Sequence, residues 1–100
     1  MNRKADDSRS IFTPRQGQYL AFIHAYTLVN GRPPAEADMA RFFGATPPTV
    51  HQMILTLERV GLVSRQPSLP RTIEVLIDPS ALPALRPGKN QLVKTTVTRY

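Results

Sequence analysis

Two proline pairs, Pro33-Pro34 and Pro47-Pro48, partition the middle of this chain so firmly that only short helices fit around them. Each proline lacks an amide donor and drives the residue before it out of helical geometry, so a pair can open a helix but not lie within one. The flanking residues supply the remaining punctuation. Thr13 is a good N-cap, Pro14 suits the first helical position, and Gln16 completes a T-x-x-Q capping box. Tyr19, Phe22, Ile23 and Tyr26 then recur at helical spacing, with Leu20 widening the stripe, until Asn30-Gly31 supplies a stop. A second helix is expected over residues 35–43, where Met39, Ala40 and Phe43 share a face and Glu36 and Asp38 place negative charge in the first turn. After Gly44, the run Thr46-Pro47-Pro48-Thr49 repeats the cap-plus-proline start, and Val50, Ile54 and Leu57 carry a third helix towards Gly61.

Two β-prone runs follow, at residues 62–65 and 72–76, separated by a tip that holds Pro67, Ser68 and Pro70. The natural reading is a hairpin with a bent tip, in which Ile73 and Val75 face one way and Glu74 the other. Asp78-Pro79-Ser80 breaks the second strand, residues 81–85 can form one turn against the body, and residues 86–89 read as a linker. The expected organisation is a flexible arm over residues 1–10, one domain over 11–77, and a linker with a basic tail over 78–100. The expected fold class is mostly α, three helices with a small β-hairpin.

The 100 residues suffice for one small core. The chain contains no cysteine, which excludes a disulfide framework, a thiolate nucleophile and a Cys-based zinc site. His24 and His51 fall on different helices without HExxH spacing, so no metal or other cofactor is expected. Ser64, Ser68 and Ser80 lack a nucleophile elbow, Lys4, Lys89 and Lys94 lie in tails, and Gly31, Gly44 and Gly61 fall where helices stop, so catalysis finds no support. No apolar run approaches the roughly 20 residues that span a bilayer, and the polar first ten residues have no signal-like apolar stretch, so a cytoplasmic protein without a membrane partner is expected. A formal charge of +6 favours a polyanionic partner, because each cation that neutralises a phosphate releases counterions.

In order and spacing these elements resemble the winged helix-turn-helix domain of LexA-type repressors. The residues that carry the resemblance are Thr13-Pro14-Arg15-Gln16, Gly31-Arg32-Pro33-Pro34, Met39-Ala40 before Gly44, Pro47 with Thr49-Val50-His51, and Gly61-Leu62-Val63. The chain departs from the family at three places: the turn from Gly44 to Pro47 is short, Pro48 stands where a small polar residue is usual, and Ala35 replaces a threonine cap. The family's second domain, a self-cleaving Ser-Lys peptidase that also dimerises the repressor, is expected to have no counterpart after Leu76.

The resemblance implies a duplex-DNA-binding transcriptional regulator, in the mould of a repressor, with helix three in the major groove and helix two bracing it. It places Thr46, Thr49, His51 and Gln52 at the contacting positions. Thr46 caps the helix and can offer its hydroxyl to a phosphate, Thr49 can meet a base edge or a thymine methyl, and Gln52 has the donor and acceptor that address adenine. His51 reads either as a contact or as a solvated helix residue. Arg65 and Arg71 flank the wing tip, where a wing reaches backbone or minor groove, and Arg71 is expected to meet phosphate; Arg32 in the double-proline turn reads as a flanking phosphate contact or as surface charge, and Arg59 either answers the helix dipole or meets phosphate. The competing reading is a winged-helix protein–protein interaction module, which an exposed Met53–Leu55 patch would favour. Aromatic stacking on single strands and insertion into double-stranded RNA are less consistent with core-like aromatics and a deep RNA groove. No small-molecule substrate is evident. A homodimer is possible through the terminal QLVKTTVTRY, where Val93, Thr95 and Val97 would share a strand face; the same segment also reads as a disordered basic tail.

Overall fold

The computed structural model describes residues 11–88. The expected arm over residues 1–10 and the strand reading of Val93, Thr95 and Val97 therefore lie outside the described residues.

Helix α1 runs Pro14–Asn30, α2 Glu36–Phe43 and α3 Pro47–Arg59. The capping box that opens α1 is formed on both sides: the Gln16 amide donates to Thr13 Oγ1 at 3.1 Å and the Thr13 amide to Gln16 Oε1 at 2.9 Å. Helix α2 lacks a side-chain acceptor at Ala35 and uses the other half of such a box, the Ala35 amide donating to Asp38 Oδ2 at 2.8 Å. Gly44 ends α2 at φ 64°, a left-handed conformation that costs glycine little, and this turns the chain at once into α3.

Strands β1 (Val63–Ser64) and β2 (Glu74–Val75) pair antiparallel, Val63 opposite Val75 and Ser64 opposite Glu74. The ladder is shorter than the two β-prone runs. Ser68 and Arg71 both adopt positive φ, at 71° and 59°, which bends the tip out of extended geometry. Thr72 then spends its hydroxyl locally, accepting from the Gln66 amide at 2.9 Å and donating towards the Leu69 carbonyl at 3.0 Å.

Every element contributes to one core. Tyr19, Leu20 and Ile23 of α1 meet Met39 of α2, Val50, Ile54 and Leu57 of α3, and Leu62, Val63 and Ile73 of the wing. Burial of each such side chain is worth about 1.5–3 kcal/mol, so the wing is held by its apolar face more than by its few ladder bonds. Tyr19 stacks on Phe43 with ring centroids 4.2 Å apart. Its hydroxyl is buried with no partner at full hydrogen-bond geometry, and burial raises the phenol above its ordinary pKa, opposed by the charge and hydrogen-bonding approach of Arg15.

After β2, a 3₁₀ turn at Pro79–Ala81, capped by Asp78, leads the chain back across α1. The single turn thus begins at Pro79, where Asp78 Oδ1 accepts from the Ser80 amide at 2.9 Å, ahead of the expected 81–85. The Gln18 side chain acts as a strand partner for this return segment: Nε2 donates to the Ala84 carbonyl at 2.9 Å while Oε1 accepts from the Arg86 amide at 2.8 Å. Leu82 and Leu85 pack half-buried against the core. Gly88 lies so close to α2 that a Cβ there would collide with the Phe42 carbonyl oxygen. Residues 78–88, expected as linker and tail, form a strap over the domain.

Candidate nucleic-acid interface

The tight turn after α2 exposes the start of α3. Thr46 accepts from the Thr49 amide at 3.4 Å and donates its own hydroxyl to Thr49 Oγ1 at 2.9 Å, so two of the expected contact residues also order the helix N-terminus. Thr46, Thr49, His51 and Gln52 are all exposed, whereas Val50, Ile54 and Leu57 on the opposite face are buried. Amphipathic spacing produces this directly: once the apolar stripe is committed to the core, the intervening polar residues must face outward. The face offers hydroxyl, imidazole and side-chain amide groups; Pro47 and Pro48 at the first two helical positions carry no N–H and the Thr49 amide is taken by Thr46, so the helix start presents side chains and not free backbone amides.

The basic residues are less uniform. Arg32 and Arg59 are exposed and make no ion pair among the described residues. Arg59 stands eight residues beyond His51, about 12 Å further along the helix axis. Arg65 is drawn back, its Nε 3.2 Å from Glu58 Oε1. Arg71 is drawn back further. Its Nη1 lies 3.1 Å from Asp38 Oδ2 and donates to the Tyr26 hydroxyl at 3.2 Å and towards the Pro33 carbonyl at 3.4 Å. His51 Nδ1 donates to the Glu36 carboxylate, with oxygens at 3.1 and 3.2 Å; because a carboxylate only accepts, that nitrogen carries the proton.

These pairs close a ring. His51–Glu36 joins α3 to α2, Arg65–Glu58 joins the wing to α3, and Arg71–Asp38 joins the wing to α2. Inside the ring is a groove of about 400 Å³ lined by Glu36, His51, Ile54, Arg65 and the wing residues up to Ile73. Asp38 is the most heavily used member, since it also takes Arg41 Nη2 at 2.7 Å. Burial alone would raise its carboxyl pKa; the Ala35 amide, then the Arg71 and Arg41 charges and the Tyr26 hydroxyl, outweigh burial and hold it below the ordinary aspartate value.

The acids of this ring were not singled out as site residues from sequence. Glu36 and Asp38 were legible only as first-turn dipole partners, and Glu58 carried no signal beyond its place on α3. Met53 and Leu55, the patch that would mark a protein-docking face, are half-buried, and Met53 packs on the core. The exposed large apolar residues are elsewhere, among them Leu28 and Val29 at the end of α1 and Leu69 at the wing tip. Among the described residues no group of three or more His, Asp or Glu is placed to hold a metal ion, and no helix is long and apolar enough to cross a membrane.

A family model described as the LexA DNA binding domain matches residues 9–72, which contain all three helices and the wing tip. The chain belongs to that family. Within the LexA group it is 35% identical over 77 residues to the LexA repressor of Thermosipho africanus (strain TCF52B), which covers 77% of this chain and 39% of the relative. It is 38% identical over 65 residues to the LexA repressor of Exiguobacterium sibiricum, covering 64% of this chain and 32% of that one. The LexA repressor of Bacillus subtilis (strain 168) is 37% identical over 70 residues, covering 69% and 34%. The chain thus spans between about a third and two-fifths of the length of these LexA repressors.

Proposed function

We propose that this chain binds duplex DNA sequence-specifically and regulates transcription as a repressor, with α3 in the major groove and the wing alongside the backbone. The observation that carries the reading is the start of α3. There a LexA-family helix presents Thr46, Thr49, His51 and Gln52 together on an exposed face, next to a helix N-terminus, while its other face is fixed in the core. Gln52 reads adenine through paired amide contacts, and Thr49 meets a neighbouring base edge or methyl group. Thr46, Arg32, Arg59 and Arg65 supply backbone contacts that set register without reading sequence. For Arg65 this requires exchange of the Glu58 carboxylate for a phosphate. The half-buried setting of Met53 and Leu55 favours this role over a protein-docking module, and the role is binding, not catalysis.

The deciding experiment is selection of binding sites from a random duplex library with the purified full chain. A recovered consensus, bound at least a thousandfold more tightly than random duplex, is the expected result. Retention of all duplexes equally, or preference for single strands, would remove the sequence-reading role.

A further inference from the structure

We propose that Arg71 is a positioning residue, a strut that sets the wing against α2 and thereby fixes where the wing lies relative to α3, without itself contacting phosphate. This rests on the DNA-binding reading above. The wing needs such a device. Its ladder holds only two residue pairs, and so short a hairpin does not fix its own orientation.

Arg71 has the geometry of a strut. Its backbone is left-handed, φ 59°, a conformation that a long side chain keeps only where its surroundings over-determine it. They do so from three directions. The guanidinium meets Tyr26 on α1, the Pro33 carbonyl in the α1–α2 turn, and Asp38 on α2, all more than thirty residues away in sequence. All three contacts fall on one guanidinium nitrogen, Nη1, whose two hydrogens serve the Tyr26 hydroxyl and the Pro33 carbonyl while its charge meets Asp38. Asp38 meanwhile caps the amide of Ala35, so one carboxylate both starts α2 and holds the wing. A guanidinium already neutralised in this way is a poor free cation for phosphate. It is well suited to keep Arg65 and the tip at a fixed distance from the reading face.

Alternative roles for Arg71 make opposite predictions for Asp38. If Arg71 contacts phosphate directly, Asp38 competes with DNA, and Asp38→Ala should bind duplex as tightly as wild type or more tightly. If Arg71 is a strut, removal of either partner frees the same wing. The test uses the full chain with Arg71→Ala, Asp38→Ala, the double variant and Tyr26→Phe. Each is checked for cooperative unfolding, and read by duplex affinity and by amide hydrogen exchange at Gln66 in the protein without DNA.

The strut predicts that Arg71→Ala and Asp38→Ala each weaken binding to the selected site by about tenfold, and that the double variant is no weaker than the worse single one. Gln66 exchange should accelerate in all three. Tyr26→Phe, which removes one partner of the guanidinium and leaves the Ala35 cap in place, should show a smaller shift in the same direction. Unchanged or tighter binding by Asp38→Ala overturns the proposal in favour of a phosphate contact. Losses confined to Asp38→Ala also overturn it, leaving a helix cap alone. If the wild-type chain binds no duplex, the functional reading falls and hydrogen exchange by itself decides whether the strut exists.

Discussion

The imidazole of His51 and the carboxylate of Glu36 face each other at 3.1 Å, which pairs the only histidine on α3 with the first residue of α2. Both side chains remain nearly half exposed, so the contact contributes little to stability, and on the proposed DNA-binding reading a phosphate would compete with Glu36 for His51. Glu36→Gln should therefore tighten duplex binding several-fold at low salt, with a gain that shrinks as ionic strength rises, and should change unfolding free energy by less than about 1 kcal/mol. Titrations at two salt concentrations check this; weaker binding by the variant would show that Glu36 orders His51 for contact.

Gln52 and Arg59 should fail in different ways. Gln52→Ala is expected to lose about 1–3 kcal/mol of discrimination at one base position while keeping the salt dependence. Arg59→Ala should weaken all duplexes alike and reduce the salt slope by about one. Selection profiles left unchanged by Gln52→Ala would remove its reading role.

Asp38 gives the domain a defined acid sensitivity. Its folded pKa lies below the ordinary value of 3.8, so the unfolded chain takes up the proton first. The stabilisation is fully present above the ordinary value and is lost as pH falls through the lowered one. Asp38→Asn should cost about 1–2 kcal/mol at pH 6, and the gap from wild type should close below about pH 4. Urea midpoints at several pH values measure it, and a gap that stays constant with pH would show that Asp38 acts by shape and not by charge.

Tyr19→Phe tests the buried hydroxyl. Because that oxygen has no partner at full hydrogen-bond geometry, its removal leaves the Phe43 stack in place and deletes an unsatisfied polar group. The variant should be as stable as wild type or more stable by up to about 1 kcal/mol. A loss of more than that in thermal unfolding would reveal a bound water or a moving Arg15 as the partner.

The strap can be separated from the segment beyond it. A chain ending at Gly88 should unfold cooperatively at the wild-type midpoint, while one ending at Ile77 should lose about 1–3 kcal/mol with the burial of Leu82 and Leu85. Sedimentation of the full chain and the Gly88 truncation addresses assembly. A dimer that becomes a monomer on truncation assigns pairing to the last twelve residues; equal stoichiometry moves it to the globular body or to DNA.

The elements were legible where their causes are local. Thr13 with Gln16, Pro47 after Thr46, and Gly44 after Phe43 settle helix ends within a few residues, and the structure forms each of them. The exposure of Gln52 and His51 followed from the Val50–Ile54–Leu57 stripe. What was not legible depends on pairs distant in the chain or on unusual backbone. Asp38 and Arg71 meet only because Arg71 adopts a conformation that sequence assigns to glycine or asparagine. The strap has no periodicity of its own, since it borrows its order from the amide of Gln18.

That clasp has a consequence for distance. Residues 78–88, if extended and free, would add about 36 Å of reach beyond the wing. Folded back to Phe42, they add almost none, so anything tethered after Gly88 is on a leash shortened by roughly one turn of duplex. Release of the Gln18 clasp would return that length, which makes a glutamine on α1 the control point for how far the chain after Gly88 can reach.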